Sequence, residues 1–249
     1  MDLKNTVSIV TGGNGGLGSR ICHALANEGS NIVVVYQNSH TEAEDVVNQM
    51  RNLGVKSKSI KCDVSNPSQV NNLVSDVMDT FGQIDILVND AAFNKWISFS
   101  DLDALTYDLW QKIIDVNLTG PMLCIKSVAE IMKHQGSGRI VNISSNAGLR
   151  PSGSSIAYSV SKAGLNQLTR CMAVALAPNI LVNCIAPGYL EGTRATSNLD
   201  PSYRAKATKE AVLQKAASKD DIAQQVVTFC KTDSVTGQTL VIDCGRFFH

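Results

Sequence analysis

The chain has 249 residues, of which 44% are hydrophobic and 18% are charged, and its 22 acidic residues balance its 22 lysines and arginines. A chain of this kind can bury a large core, and its zero net charge gives no indication of a nucleic acid or a membrane surface as a partner. No apolar run approaches the roughly 20 residues of a membrane span, and the cysteines and histidines show no metal-ligand spacing. We therefore expect one globular domain over residues 1–249, without a metal, in the cytoplasm, where thiols stay reduced.

The first element is a β-rich run at residues 6–10, and a glycine-rich loop from Thr11 to Gly18 follows it directly. Residues 19–29 then carry apolar side chains at helical spacing. A strand, a glycine turn and a helix are the first half of a βαβ unit, in which the turn and the helix N-terminus bind a pyrophosphate. This pattern predicts a dinucleotide site.

Strands and helices alternate along the rest of the chain. The patterns predict strands at residues 31–36, 58–61, 84–89, 139–144, 181–185 and 239–242, and helices at residues 41–53, 67–81, 106–133, 157–176 and 218–230. Such alternation indicates an α/β fold, a Rossmann-like doubly wound parallel sheet of about seven strands with helices on both faces. Its ligand is expected at the carboxyl edge of the strands.

Two side chains in the helix predicted at residues 157–176 indicate acid–base chemistry. Tyr158 and Lys162 are four residues apart, so they lie on one face of that helix. A neighbouring ammonium favours the phenolate, and we therefore expect Lys162 to lower the phenol pKa from about 10. Ser145 precedes Tyr158 by 13 residues, and its hydroxyl can hold a carbonyl or alcohol oxygen beside the phenol. The three side chains predict general acid–base catalysis at an oxygen atom.

The glycine loop and the Tyr-x-x-x-Lys pair together resemble the short-chain dehydrogenase/reductase family, in the form that has about the length of this chain. The glycine spacing Thr-Gly-x-x-x-Gly-x-Gly is that of the family, and the resemblance covers essentially the whole chain. Residues 89–92 stand where the family usually has Asn-Asn-Ala-Gly, from which Asp90 and Ala92 depart, and Cys244 stands where the family usually has a glycine. Further matches in order are Cys62-Asp63-Val64, Asp115-Val116-Asn117, Ile143-Ser144-Ser145 and Pro187-Gly188.

The resemblance implies an NAD(P)-dependent oxidoreductase that transfers hydride between a nicotinamide and a carbonyl or alcohol carbon. It implies that Tyr158 donates or accepts the proton, that Lys162 holds the nicotinamide ribose, and that Ser145, rather than Ser144, binds the substrate oxygen. Asn117 would bend its helix and bind a water that links Lys162 to solvent. The implied coenzyme-binding residues are Thr11, Gly12, Gly16, Leu17, Gly18, Asn38, Ser39, Asp63, Val64, Asn89, Tyr158, Lys162, Pro187 and Gly188.

The end of the second strand bears on the choice of coenzyme. A carboxylate there would accept the adenosine-ribose hydroxyls and repel a 2′-phosphate, but no acidic residue occurs from Val33 through Thr41. The stretch Tyr36-Gln37-Asn38-Ser39 resembles the Tyr-x-Asn-Ser of NADPH-dependent polyhydroxynaphthalene reductases. Against this, many NADPH enzymes have an arginine or lysine where this chain has Gly15. We expect NADPH to be preferred over NADH.

In this family, the segments after the fourth strand and after the Pro-Gly turn line the substrate cleft. The resemblance thus places Phe93, Asn94, Trp96, Tyr189 and Leu190 around the substrate. These side chains suit a small or medium ketone that is partly apolar or cyclic. Residues 192–208 resemble the mobile lid of the family, although the positive charges there are also compatible with a solvated helix face.

Two other functions remain open. A 3-ketoacyl–acyl-carrier-protein reductase is the closer one, although it usually has a basic residue after the helix with Tyr and Lys, where residues 175–179 are neutral. A non-catalytic dinucleotide-binding sensor or scaffold is the other, although such proteins typically lose the Tyr or the Lys. The family commonly forms tetramers, so we expect a homo-oligomer, either a tetramer or a dimer, that acts on a small-molecule carbonyl or alcohol.

Overall fold

The computed structural model describes residues 1–197 and 199–248, and in these residues seven strands form one parallel sheet. The strands are β1 (Val7–Thr11), β2 (Asn31–Tyr36), β3 (Ser57–Lys61), β4 (Ile86–Asn89), β5 (Gly138–Ile143), β6 (Ile180–Pro187) and β7 (Thr239–Ile242). Their order in the sheet is β3-β2-β1-β4-β5-β6-β7. The chain thus winds outward in one direction from β1 and in the other from β4, as predicted for a doubly wound sheet. A ligand crevice forms at this switch point.

Helices cover both faces of the sheet. The helices are α1 (Gly18–Asn27), α2 (His40–Asn52), α3 (Pro67–Phe81), α4 (Tyr107–Ile114), α5 (Gly120–Gln135), α6 (Ile156–Leu176), α7 (Arg194–Ser197), α8 (Pro201–Glu210) and α9 (Lys219–Lys231). Successive strand side chains point to opposite faces, so Val34 joins the core under α1, α2 and α9, whereas Val33 joins the core under α3, α5 and α6. No helix in the described ranges is long and apolar enough to cross a membrane.

Several predicted elements are confirmed with their bounds. The strands at residues 31–36 and 239–242 and the helix at residues 67–81 begin and end as expected. Asn66 caps α3 by accepting a hydrogen bond from the Gln69 N–H at 3.1 Å, and Pro67 occupies the first turn. Ser218 caps α9 in the same way, as its position before two acidic residues predicted.

The single long helix predicted over residues 106–133 is wrong in one respect. A π-helical turn over Asp115–Thr119 separates α4 from α5. The buried side chain of Asn117 in this turn forms hydrogen bonds with both the N–H and the C=O of Phe93. A turn of this kind accommodates an extra residue, which the apolar periodicity of the sequence does not reveal.

The lid stretch contains two helices that the sequence did not predict, α7 and α8; residue 198, between them, lies outside the described residues. Asp200 caps α8 by accepting a hydrogen bond from the Ser202 N–H at 2.8 Å, and Pro201 follows in the first turn. α8 is mostly polar and buries only Ala207 among its residues. Its weak apolar pattern explains why the helix was not predicted.

Candidate active site

A cleft of about 860 Å³ opens at the carboxyl edge of the sheet, between the segments that follow β1, β2, β4, β5 and β6. The glycine loop forms one wall, and residues of α4 and of the lid form the opposite side. The structure therefore brings the two sequence motifs into one cavity. The predicted coenzyme residues that line it are Gly12, Gly16, Leu17, Asn38, Asp63, Val64, Tyr158, Lys162, Pro187 and Gly188.

The other four predicted coenzyme residues lie beneath or beside this cleft. Thr11 accepts hydrogen bonds at 3.1 Å from the N–H groups of Asp90 and Ala91 through its hydroxyl, so it holds the loop after β4. Asn89 is buried in the sheet, where its amide donates to Asn142 at 2.9 Å. Gly18 begins α1, and Ser39 has the left-handed φ of 64° in the turn before α2. Their contacts shape the walls of the cleft.

The start of α1 has the geometry of an anion site. A Cβ on Gly18 would lie 2.2 Å from the carbonyl oxygen of Gly12, so only glycine allows the loop to fold this tightly against the helix. Leu17, in the N-cap position, has no side-chain acceptor for the first turn. The Ser19 N–H donates to the Gly15 carbonyl at 2.9 Å, and the Gly18 N–H donates to the Asp90 carboxyl group, so a pyrophosphate at this end of α1 stays a prediction.

Tyr158 and Lys162 lie on α6, and Ser145 follows β5. The hydroxyl of Ser145 accepts a hydrogen bond from the Ala147 N–H at 3.2 Å and lies close enough to the phenol of Tyr158 to lower its pKa. The ammonium of Lys162 donates to the carbonyl oxygen of Ile143 at 2.8 Å, and its Nζ lies 5.8 Å from the centre of the Tyr158 ring. The buried hydroxyl of Ser144 instead donates to the backbone carbonyl of Lys162 at 3.0 Å. Both serines line the cleft, and the role of Ser145 at the substrate oxygen stays a prediction.

The pKa of Tyr158 shifts in the direction opposite to the sequence prediction. Burial raises it to about 12, and the nearby hydroxyl of Ser145 opposes this shift only in part. The hydroxyl of Tyr203, on the lid helix α8, lies close enough to raise it further. Lys162 faces the Ile143 carbonyl in this state, and its charge does not offset the loss of water around the phenol.

Asp90 adds a carboxyl group whose role the sequence did not predict. Burial raises the pKa of Asp90 to about 7, while the charge of Lys162 and a hydrogen bond from the Gly18 N–H lower it. Burial lowers the pKa of Lys162 to about 8, and Asp90 opposes this shift. The family usually has an asparagine at this position, and an asparagine side chain does not titrate. The carboxyl group of Asp90 therefore makes the charge of the site depend on pH.

Asn117 lies at the centre of the π-helical turn and is fully buried. Its amide donates to the Phe93 carbonyl at 2.9 Å and to the Ser161 hydroxyl at 3.1 Å, and the Ser161 hydroxyl donates to the carbonyl of Tyr158. Asn117 thus connects the loop after β4 with the first turn of α6. The water that would link it to Lys162 stays a prediction.

Three of the five predicted substrate residues line the cleft, namely Phe93, Asn94 and Leu190. Trp96 packs against the Tyr203 ring instead, at 5.3 Å between ring centres. Tyr189 accepts a hydrogen bond from the Ala217 N–H through its carbonyl oxygen and does not occur among the described lining residues. Trp96 therefore contacts the lid, and Tyr189 anchors the start of the lid to the segment before α9.

Polar contacts hold the lid over the cleft. The amide of Asn94 donates to the Ala195 carbonyl at 2.9 Å, and Arg194 forms an ion pair with Glu42 on α2. The backbone of Gly192 approaches the glycine loop so closely that a Cβ on Gly16 would lie 2.7 Å from its carbonyl oxygen. These contacts place residues 192–195 against the glycine loop, the segment after β4 and α2, and the mobility of this stretch stays a prediction.

Several lining residues were not predicted. Some of them directly follow the carboxyl end of a strand, where the switch-point rule predicts a ligand site. The α4 and lid residues carry no comparable signal, because only the tertiary fold brings them to the cleft. The unpredicted lining residues include Asn14, Asp90, Tyr107, Lys112, Asp115, Thr193 and Arg194.

Comparison with known proteins identifies relatives over nearly the whole chain. The profile of the family described as enoyl-(acyl carrier protein) reductase matches residues 12–246. A 3-oxoacyl-(acyl-carrier-protein) reductase of Synechocystis sp. is 34% identical over 253 aligned positions, which cover 98% of this chain and 97% of that protein. The human dehydrogenase/reductase SDR family member 4 is 32% identical, with 98% of this chain and 88% of that protein covered.

A solved structure extends the similarity to the fold. The NADPH-dependent 3-quinuclidinone reductase of Rhodotorula rubra is 25% identical and superposes with a TM-score of 0.89, covering 98% of this chain and 92% of that one. The profile match, the sequence identity of the relatives and the seven-stranded fold agree with one another. The chain belongs to the short-chain dehydrogenase/reductase family of NAD(P)-dependent oxidoreductases.

Proposed function

We propose that the protein is an NADPH-dependent carbonyl reductase, which acts as an alcohol dehydrogenase in the reverse direction. Its proposed substrate is a small or medium ketone that is partly apolar or cyclic. The observation that carries this proposal is that the side chains of Ser145 and Tyr158 come together in the same cleft as the glycine loop. Two adjacent hydroxyls can both bind one carbonyl oxygen, and Phe93 and Leu190 supply apolar wall for the carbon skeleton.

In this proposal each catalytic side chain acts on one oxygen or one proton. Tyr158 gives its proton to the substrate oxygen during reduction and takes it back during oxidation. Ser145 holds that oxygen, Lys162 holds the nicotinamide ribose and favours the phenolate, and Asn117 fixes the backbone of α6 and binds the water that leads to Lys162. When bound, the coenzyme supplies the hydride to the substrate carbon.

The preference for NADPH is supported by the lining of the cleft after β2. Tyr36, Gln37 and Asn38 line it there, and none of these three carries a carboxylate. The amide of Asn14 donates to the carbonyl of Asn38 at 3.0 Å, which fixes the shape of this turn. The similar reductase of Rhodotorula rubra is NADPH-dependent by its description.

A second candidate function is reduction of a 3-ketoacyl group on an acyl carrier protein. The name of the Synechocystis relative favours it. The segment after α6 weakens it, because Ala177 and Asn179 are exposed and neutral where an acidic carrier would meet a basic residue. Lys133 at the end of α5 is exposed, but it is paired with Glu130 at 2.7 Å.

The two candidates separate in one assay. NADPH oxidation is followed with a panel of cyclic and aryl ketones, with a 3-ketoacyl thioester of N-acetylcysteamine, and with the same acyl group on acyl carrier protein. We expect higher kcat/KM on a cyclic ketone than on either thioester. A large gain from the carrier protein over the short thioester would establish the second candidate instead. No turnover of any carbonyl compound would overturn both.

We further propose that one domain over residues 1–249 carries both the coenzyme and the catalytic residues, and that the protein is a cytoplasmic homo-oligomer, a tetramer or a dimer. Unpaired buried thiols, such as those of Cys22 and Cys230, suit a reducing compartment. Val174 on α6 is 82% exposed, which suits a helix face that another copy covers. Sedimentation at several protein concentrations tests the oligomer; a monomer at all of them would contradict it.

A further inference from the structure

Arg194 joins the lid to the helix that follows the second strand. It is the first residue of α7, its side chain lines the cleft, and its guanidinium forms an ion pair with Glu42 in the first turn of α2. Gln37 and Asn38, which line the cleft after β2, lie in the turn that leads into α2. The guanidinium therefore reaches the adenosine end of the cleft.

The charges that line the cleft make this position significant. Among the described lining residues the cations are Lys112, Lys162 and Arg194. Lys162 is held at the Ile143 carbonyl beside Tyr158, and the ammonium of Lys112 lies 4.4 Å from the centre of the Phe93 ring. Both lysines thus lie at the catalytic end. Arg194 is the described lining cation at the end where an adenosine 2′-phosphate would lie.

The ion pair with Glu42 is of a kind that exchanges partners readily. The two side chains are 57% and 55% exposed, and water screens the attraction between exposed charges. A phosphate monoester carries more negative charge than a carboxylate and offers three acceptor oxygens. A guanidinium can bind two of those oxygens at once in a fixed fork.

We infer that Arg194 is a coenzyme-specificity residue carried by the lid: its guanidinium leaves Glu42 and binds the 2′-phosphate of NADPH. Glu42 is then the competitor of the phosphate and repels it when Arg194 is absent. This inference rests on the proposed preference for NADPH. It explains how a chain with Gly15 at the usual position of a basic residue can still supply a positive charge to the 2′-phosphate.

Binding of the oxidised coenzymes to the free protein tests the inference without turnover. NADP⁺ and NAD⁺ are titrated by calorimetry into the wild type, Arg194→Gln and Arg194→Lys. Loss of one charge-assisted contact predicts that Arg194→Gln binds NADP⁺ about tenfold more weakly, with NAD⁺ within about twofold. Arg194→Lys keeps the charge but not the fork, so its affinity for NADP⁺ should lie between the two.

Glu42→Gln provides a change of opposite sign. Removal of the competing carboxylate should strengthen NADP⁺ binding by about threefold and leave NAD⁺ binding unchanged. Lys209→Gln is the matched control, because it removes an exposed positive charge from α8, and residue 209 is not among the described lining residues. Its NADP⁺ affinity should equal that of the wild type. If Lys209→Gln loses as much NADP⁺ affinity as Arg194→Gln, the effect comes from the total positive charge of the lid and not from a contact of Arg194.

Two adenosine probes identify the phosphate that Arg194 contacts. Adenosine 2′,5′-bisphosphate should lose affinity in Arg194→Gln, and adenosine 5′-monophosphate should not. Equal losses for both probes would place Arg194 at the pyrophosphate and overturn the inference. A wild type that binds NAD⁺ as tightly as NADP⁺ would instead contradict the proposed preference itself. A wild-type preference for NADP⁺ that survives in Arg194→Gln would overturn only the role of Arg194.

Discussion

The carboxylate of Asp90 and the ammonium of Lys162 share the enclosed part of the cleft, and each shifts the pKa of the other toward the charged form. Burial acts in the opposite direction on both and is the larger cause, so their pKa values approach each other, at about 7 and about 8. Burial thus favours the neutral form of each group, and the charge of each one favours the charge of the other. Lower pH favours protonated Asp90, and higher pH favours neutral Lys162.

This relationship predicts the effect of Asp90→Asn on pH dependence. Without the carboxylate the pKa of Lys162 falls further, so the ammonium should be lost at a lower pH. We expect the upper pH limit of coenzyme binding to move down by on the order of one unit. Asparagine can still accept the hydrogen bond from the Gly18 N–H. Fluorescence titration across pH measures the shift; Asp79→Asn, an exposed change on α3, should show none.

The proton donor is tested by two phenols that lie close to each other. Tyr158→Phe keeps the ring but removes the transferable proton, and we expect turnover to fall by about 10²–10⁴-fold with coenzyme binding retained. Tyr203→Phe is the matched control, because its hydroxyl accepts a hydrogen bond from the Gly153 N–H at 3.1 Å and has no proposed proton-transfer role. Steady-state kinetics with the best ketone measure the turnover of both variants. Equal losses of turnover would refute Tyr158 as the proton donor.

Lys162→Met should weaken coenzyme binding and raise the pH at which alcohol oxidation begins, because the phenolate of Tyr158 loses its nearest cation. The change also removes the charge that lowers the pKa of Asp90, so this pKa should rise, and thermal stability should fall as the pH rises above neutral. Adding Asp90→Asn to this variant should restore the melting temperature but not the turnover. If turnover returns as well, Lys162 acts only through the charge of Asp90.

The adjacent serines should separate catalysis from packing. Ser145→Ala removes a hydroxyl from the proposed position of the substrate oxygen and should lower kcat by about 10²-fold. Ser144→Ala removes a buried hydrogen bond to the Lys162 carbonyl and should cost about 1 kcal/mol of unfolding free energy. Denaturant unfolding and kinetics on both variants give the comparison. The reverse pattern would assign the substrate oxygen to Ser144.

A substitution at the end of β2 should reverse the proposed preference for NADPH. Gln37→Asp places a carboxylate beside the adenosine ribose, and two unit charges about 4 Å apart interact by about 4 kcal/mol at an effective dielectric of about 20, as an upper bound. A third of that value weakens NADPH binding about tenfold, while NADH gains an acceptor for its ribose hydroxyls. Gln224→Asp on α9 is the control for added charge. Kinetics with both coenzymes measure the change, and an NADH preference in the wild type would contradict the premise.

Much of this architecture was predictable because local chemistry determines it. The alternation of buried strands and amphipathic helices gave the doubly wound sheet, and capping residues such as Asn66 and Ser218 gave the starts of helices. The family resemblance implied a bend at Asn117, but the apolar pattern could not show the π-helical turn, because this turn depends on the contacts of Asn117 with the distant backbone of Phe93. The lid helices carry too little apolar pattern to be recognised.

In the candidate site, too, some features follow from the local sequence and others depend on the tertiary fold. Tyr158 and Lys162 are one helical turn apart, so their proximity follows from the sequence. The charge of the site does not, because only the tertiary fold brings Asp90 close to Lys162 and Arg194 close to Glu42. The predicted direction of the Tyr158 pKa shift was wrong for the same reason, because the burial that raises this pKa depends on the whole fold.

The close approach of Gly16 and Gly192 changes how the glycine signature of such chains should be interpreted. A methyl group at residue 16 would overlap the Gly192 carbonyl, so the segment at residues 192–193 would have to move away from the glycine loop. Glycine is therefore required at this position by a contact within the chain, independently of any ligand. A relative that no longer binds the coenzyme but keeps this contact would retain the same glycine.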